Sequence, residues 1–409
     1  MDKGPNKRLT EMELGWIDFS KNERDKILGV LDSLTEQGTL DELGIAPIRD
    51  GFSDLFFPGT STLQTRAKYF LLIPYACKDL EQSGITNAKL AYEKLYSIER
   101  DTALLLTKSN SEEKGIIGGS FINRKQWIKR PPSTLYWAGL RRYGIFKGEY
   151  SVSEYLKAAC ALKMENDTLK KLGNRSDTED TDDKDAGKER SYRFFNAPTY
   201  NSDWKENLTI RLTTSEALFL KEKIRIAAPD SLLTYLLSLK DESEIKNIFN
   251  CNSFEALSAL IKDERLKADC EIAVGFSKFL YVLRVVYNLV VSDGKNKAAN
   301  NEIDMLLPEF NKLSEIDIDA IFLRLNIQND KLRKFITETK NAMANGDVSR
   351  LKSLVTERER NIKGTSRAKT MNAGMFDENK WFGGGYLDYR LSQVQQMLKD
   401  IFDGETTNV

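Results

Sequence analysis

The stretch AVGFSKFLYVLRVVYNLVV, residues 273–291, is the most apolar run in the sequence and decides the fold class. Lys278 and Arg284 interrupt it, so it suits the core helix of a domain better than a membrane span. Because helical periods recur along the chain and strand-like alternation is scarce, the sequence predicts a mainly α fold with few short strands. In this run the large apolar side chains at helical spacing are Phe276, Phe279, Leu280, Leu283, Tyr287 and Val290.

The sequence GNRSDTEDTDDKDAGKER, residues 173–190, marks the clearest boundary in the chain. It holds six acids within nine residues and no large apolar side chain, so it cannot supply a packed core. We expect an acidic disordered linker between two helical lobes, residues 1–172 and 191–402, with a disordered tail at 403–409. The linker is either a plain solvated connection or an acidic segment that competes with nucleic acid for a basic surface.

The composition favours a non-catalytic protein. No histidine occurs in the 409 residues, which excludes Ser-His and Cys-His nucleophiles, His-ligated zinc and histidine acid–base chemistry. No secretory signal pattern opens the sequence, so we expect a cytoplasmic protein without membrane association. We predict no catalytic residue, no metal site and no cofactor. The four cysteines lack C-x-x-C spacing and are expected to be reduced: Cys77, Cys160, Cys251 and Cys270.

A basic, aromatic segment, KGIIGGSFINRKQWIKRPPSTLYWAGLRRYGIFK, spans residues 114–147. It has eight basic residues and no acid, in a chain whose 61 basic and 61 acidic residues balance. Cations release counterions from phosphates and aromatic faces stack on bases, so this mixture suits a nucleic-acid surface. The alternative is that the aromatic side chains are core and the cations form a solvated face.

A short helix is predicted inside this segment, with Ser133 as its N-cap after Pro132 and Gly144 as its end. Its amino end, beside Arg130, would be a ready anion site. We therefore expect nucleic acid to contact this helix. The candidate binding residues here are Lys129, Arg130, Arg141 and Arg142 on phosphate, Ser133 at the cap and Trp127 as a stacking platform.

Residues 41–76 predict a helix, a turn at Phe57-Pro58-Gly59 and a second helix capped by Thr60 or Ser61. The second helix would carry Gln64, Arg66 and Lys68. Polar side chains of this kind are typical of the recognition helix of a helix-turn-helix DNA-binding protein. Arg49 and Arg66 are accordingly further candidates for phosphate contact. An ordinary helical hairpin is the alternative interpretation.

Several local signals predict helix boundaries elsewhere. Capping boxes pair Ser20 with Glu23, Ser151 with Glu154, and Thr213 with Glu216. The helix predicted after Ser20 ends at Gly38 and has an apolar stripe, and the last helix is predicted over 387–402. The aromatic loop 381–386, WFGGGY, either admits a phosphate closely through its glycines or only turns the chain. The stripe after Ser20 consists of Ile27, Val30, Leu31 and Leu34.

One carboxylate pattern resembles a nuclease core. The motif P-D…E-x-K of metal-dependent nucleases is matched by Pro229-Asp230 and Glu244-Ile245-Lys246. These nucleases hold Mg²⁺ between carboxylates on adjacent strands. Here the intervening residues predict a helix capped by Asp230, so the motif is only weak evidence for a nuclease.

Motifs spread over most of the chain resemble an uncharacterised bacterial family, a domain of unknown function. The resemblance implies no catalytic residue. Its members resemble components of anti-phage gene neighbourhoods, beside helicase-like and nuclease-like genes. It rests on 15–20, 41–45, 48–50, 57–62, 64–67, 69–70, 115–118, 130, 132–133, 136–137, 140, 144–145, 216–217, 276–277, 358–359, 363, 367 and 389–390.

These observations leave three functional hypotheses. The first is a non-catalytic DNA-binding component of a bacterial anti-phage defence system. The second is a scaffold or adaptor for a helicase or nuclease partner, and the third is a metal-dependent nuclease.

Overall fold

The computed structural model describes residues 41–109, 112–124, 127–173, 193–198, 200–206 and 208–406. The helix predicted after Ser20 and all but the first residue of the predicted acidic linker lie outside these residues, and so do the last three residues of the predicted tail.

The mainly α prediction is confirmed. Short 3₁₀ turns lie at Gly119–Phe121, Leu307–Glu309 and Lys369–Asn372. The α-helices are α1 Ala46–Phe56, α2 Tyr69–Gln82, α3 Ala88–Ser109, α4 Pro132–Arg142, α5 Val152–Gly173, α6 Thr214–Ala227, α7 Leu232–Leu237, α8 Glu242–Phe249, α9 Phe254–Ser258, α10 Glu264–Val291, α11 Lys297–Leu306, α12 Phe310–Leu313, α13 Ile318–Arg324, α14 Asp330–Ala344, α15 Val348–Lys363 and α16 Leu391–Thr406.

The few strands expected from the sequence do not form within the described ranges. A single antiparallel bridge joins Phe146 to Phe195. Residues 208–212 alternate apolar and polar side chains, which is typical of a strand, but they form an irregular segment in which Leu208, Ile210 and Leu212 are all buried. The alternation reflects burial of one side of this segment, and the described ranges contain no strand to pair with it.

The 28-residue helix α10 is the central core element, as the apolar run predicted. Its side chains are buried on most of its circumference and pack against α11 and α15. Phe276 also contacts Phe52 of α1, at 6.5 Å between ring centroids. Because α1 and α10 share one hydrophobic cluster, the two predicted lobes meet in a common core.

The last helix, α16, closes this core and continues to Thr406, four residues past its predicted end at 402. It packs along α6 so closely that a Cβ at Gly404 would lie 2.9 Å from the Cβ atoms of Ala217 and Leu212. The predicted lobe boundaries at 172 and 191 stay predictions.

Helix α4 packs on the turn that precedes α2. The hydroxyl of Tyr143 donates a hydrogen bond to the carbonyl of Pro58, 2.8 Å away. Gly59 has φ +81°, a left-handed conformation that favours glycine, and the middle of α4 approaches it at Gly139. A Cβ at Gly139 would overlap the Gly59 carbonyl oxygen and lie 2.8 Å from the Phe70 ring.

Replacing Gly139 by Ala should lower the free energy of unfolding by about 1–3 kcal/mol, because the methyl group meets fixed backbone. Gly275→Ala is the matched control, since a Cβ at Gly275 of α10 meets nothing within 4 Å. That substitution should raise the free energy of unfolding by about 0.5–1 kcal/mol through helix propensity. Urea denaturation of both variants measures the contrast, and equal effects of the two substitutions would contradict it.

Candidate functional site

The amino end of α4 is occupied by a carboxylate of the protein itself. Helix α4 begins at Pro132, and Ser133 is its second residue, so the predicted Ser133 cap is incorrect. The backbone N–H of Ser133 donates to Oε1 of Glu99 at 2.6 Å, and its hydroxyl donates to Oε2 at 3.1 Å. Ser133 and Glu99 are buried, so this helix end offers no site to a phosphate.

The environment of Glu99 disfavours its charge. Burial raises the pKa of the Glu99 carboxyl to about 8, although the two hydrogen bonds from Ser133 favour the charged form. An unfolded glutamate has a pKa of about 4.3. Between these values the folded chain binds one proton more than the unfolded chain, so the free energy of unfolding contributed by Glu99 falls as the pH rises.

Glu99→Gln should flatten the decline in the free energy of unfolding between about pH 5 and about pH 9, because the amide cannot lose a proton. Its oxygen can still accept from the Ser133 N–H, and its NH2 group can donate to the Ser133 hydroxyl. Urea titrations across this range test the change in slope. Glu93→Gln, on the exposed side of the same helix α3, serves as the control for the loss of one acidic side chain. A wild-type slope in the Glu99 variant would refute the assignment.

Trp127 is a core side chain and not the predicted stacking platform. It is 5% exposed, and its Nε1 donates to the carbonyl of Gly118 at 3.0 Å. Its ring lies edge-on to Tyr96 of α3, 5.3 Å between centroids. The tryptophan fixes the loop before α4, so no face is left for a base.

Arg66 is buried and neutralised, so the prediction that it contacts phosphate is incorrect. Its side chain is 6% exposed, and Nε lies 2.9 Å from Oδ1 of Asp400 in α16. Its Nη1 lies 2.9 Å from Oε2 of Glu113 and donates to the carbonyl of Lys114 at 3.0 Å. This arginine connects three segments of the fold.

The helix-turn-helix prediction is also wrong, because its polar residues are buried and precede the helix. Helix α2 begins at Tyr69, so the residues before it form turns and not a recognition helix. Gln64 and Lys68 are buried, and Lys68 forms an ion pair of 2.5 Å with Glu216. The Tyr136 hydroxyl accepts hydrogen bonds from the backbone of Thr65 and Arg66.

The remaining predicted cations are dispersed. Arg49 pairs with Asp50 at 2.9 Å and is 40% exposed. Arg141 pairs with Glu149. Lys129 and Arg130 precede α4 whereas Arg142 ends it, so the backbones of these exposed residues are separated by the length of an eleven-residue helix, about 15 Å.

The residues that match the nuclease motif lie on helices or next to them. Ser231, not Asp230, caps α7, and Asp241 caps α8, in which Glu244 pairs with Lys262. Within the described ranges no strands hold the two carboxylates side by side, and no group of three or more acids or cysteines could hold a metal ion. The arrangement lacks the geometry that this nuclease chemistry needs.

A groove of about 740 Å³ runs along the amino-terminal half of α10, and the sequence did not reveal it. Its floor is apolar and comes from three separate segments of the chain. The floor residues are Ala259, Val274, Gly275, Leu306, Leu313 and Ile316.

The rim of this groove carries charges of both signs. Three lysines and four glutamates line it, and only Lys278 and Glu255 form an ion pair among them within 4 Å. Apolar side chains beside it are also exposed, namely Leu260, Met305 and Leu307 at 40%, 63% and 44%. The charged lining residues are Lys267, Lys278, Lys312, Glu255, Glu271, Glu309 and Glu315.

Tyr386, the last residue of the loop 381–386, also lines the groove. Arg284 donates to the carbonyl of Gly385, and Asn288 exchanges hydrogen bonds with the backbone of Phe382. Tyr386 stacks on Tyr281 of α10 with 4.2 Å between ring centroids. The glycines let the chain fold back onto α10, and they serve here to turn it.

A second cleft, of about 1,000 Å³, is polar and lies between the Arg66 cluster and α16. Half of its eight charged lining residues form ion pairs with one another, namely Arg66, Glu113, Arg211 and Asp400. The apolar groove is the stronger candidate site, because it exposes hydrophobic surface.

The described residues form a mainly α protein with an apolar, charge-rimmed groove on its central helix. By length and composition α10 could cross a membrane, but 67% of its most apolar window is buried inside the protein, so here it is a core helix. The chain belongs to a family of unknown function, DUF6361, whose sequence profile matches residues 12–368. No curated protein and no solved structure matches it.

Proposed function

We propose that this protein is a non-catalytic scaffold that holds a protein partner in the groove beside α10. The observation that carries the proposal is an open apolar floor with half-exposed Val274 and Leu313. Apolar surface that remains unburied in a folded chain favours association, and a rim of charged side chains gives the association specificity.

The charge of the rim favours protein over nucleic acid. Four glutamates outnumber three lysines around the groove, so a polyanion would meet repulsion there. The sequence-based hypothesis of DNA contact also loses three of its eight residues, Arg66, Trp127 and Ser133, to burial.

The resemblance to anti-phage gene neighbourhoods supplies the setting of this proposal. A helicase or nuclease is the partner that such a neighbourhood implies, in the bacterial cytoplasm. The scaffold would hold that enzyme through contacts that do not require nucleic acid.

Leu306→Lys should abolish partner retention, because it places a charge on the apolar floor. The tagged full chain is purified from its native host with nuclease treatment and high salt, and proteins that remain bound are identified by mass spectrometry. Leu323→Lys is the matched control, since Leu323 is 84% exposed and does not line the groove. A partner retained equally by both variants would place its binding site elsewhere, and a chain without partner would reject the scaffold.

DNA contact is a second candidate function, favoured by exposed cations around α4. Lys129, Arg130, Arg142 and Lys147 are all exposed. They could contact phosphates as dispersed points, without base readout.

The triple change Lys129→Ala, Arg130→Ala and Arg142→Ala should weaken duplex binding in a gel-shift titration. It should also reduce the slope of log affinity against log salt by up to about three, one for each lost phosphate contact. Undiminished binding by this variant would exclude these residues as the contact surface. The Glu93→Gln chain should bind as the wild type does.

A further inference from the structure

Gly275 is a glycine that the fold of this chain does not require. It lies inside α10, where glycine costs about 1 kcal/mol relative to alanine. A Cβ there would meet nothing within 4 Å, whereas one at Gly139 or Gly404 would collide with neighbouring atoms. Packing within the described chain therefore explains those two glycines and leaves Gly275 unexplained.

The position of Gly275 connects it with the groove. It lies on the groove floor between Glu271 and Lys278 of the same helix, and Val274 beside it is half-buried. A glycine on a helix surface lets another backbone approach more closely than any other residue allows. The missing side chain thus leaves additional space in the groove beside α10.

We propose that the groove binds an amphipathic α-helix of a partner protein, which crosses α10 at Gly275 and places its apolar face on the floor. This inference rests on the proposed scaffold function and specifies the partner. The wall from Lys267 to Lys278 spans eleven residues of helix, about 16 Å, which matches three turns of a bound helix.

The groove suits a helix better than an extended peptide. A β-strand segment needs a sheet edge for its backbone hydrogen bonds, and the described chain has no strand to provide one. A polyproline II segment needs a groove lined by several aromatic side chains, whereas Tyr386 is the one aromatic residue that lines this groove. A helix satisfies its own backbone groups and presents apolar side chains at positions three and four apart.

Charge complementarity further defines the partner helix. Lys267, Glu271 and Lys278 line the groove from α10, and Glu309, Lys312 and Glu315 line it from the segment that follows α11. Both sides mix signs, so the bound helix has to flank its apolar face with both acidic and basic residues and be nearly neutral overall.

A selection experiment on the full chain tests this inference. The probe is a display library of helical peptides of about 20 residues, with leucines at spacings of three and four and with randomised central and flanking positions. Counter-selection uses the Leu306→Lys chain. We expect the enriched peptides to have a small residue in the centre of the apolar face and charges of both signs beside it.

Gly275→Leu should weaken binding of the enriched peptides by about tenfold or more, because the added side chain fills the crossing point. Ala298→Leu is the matched control, since it adds the same side chain to an exposed position of α11 outside the groove. Urea denaturation confirms that both variants fold.

Each other outcome overturns part of the argument. Peptides that depend on Leu306 but bind the Gly275→Leu chain normally would leave the scaffold function standing and reject the helix crossing. Failure to enrich any peptide over the Leu306→Lys chain would reject the groove itself. Enrichment of sequences that match residues 20–37 would replace the foreign partner with a segment of this chain or of a second copy.

Discussion

The buried ion pair between Arg66 and Asp400 is the constraint on which the rest of the structure depends. Removing two charges from water costs several kcal/mol per ion, so such a pair is tolerated only when further hydrogen bonds complete it. Here Asp400 also accepts from the backbone of Ala67 and from Gln396, and Arg66 also binds Glu113. The turn before α2, the loop at 112–114 and α16 are thereby fixed together.

Because of such buried pairs, some of the basic residues in the sequence are not available at the protein surface. Two cations that look like part of a binding surface along the chain, Arg66 and Lys68, pair in the fold with acids far away in sequence, Asp400 and Glu216. The overall balance of basic and acidic residues has a structural counterpart in these internal pairs. The side chains that line the groove combine charges of both signs with an apolar floor. This combination is typical of a protein-binding surface and not of a polyanion site.

Local patterns predicted local structure well. The capping boxes at Ser151 and Thr213 mark the starts of α5 and α6, and the apolar run became α10, because these signals act within one or two turns of the backbone. Contacts between residues that are far apart in the sequence could not be predicted. Nothing near Arg66 shows that its partner lies 334 residues away, and the groove floor combines three segments whose apolar residues each look like ordinary core. Gly275 inside the apolar run was the one available sign of the site.

The separation of Arg66 and Asp400 has a consequence for biosynthesis. At ribosomal rates of about 5–20 residues per second, Asp400 is made roughly 20–70 s after Arg66. During that interval the guanidinium has no α16 carboxylate, so the nascent first half has to keep this turn hydrated. The ion pair that joins the turn before α2 to α16 therefore forms only after translation has passed α16.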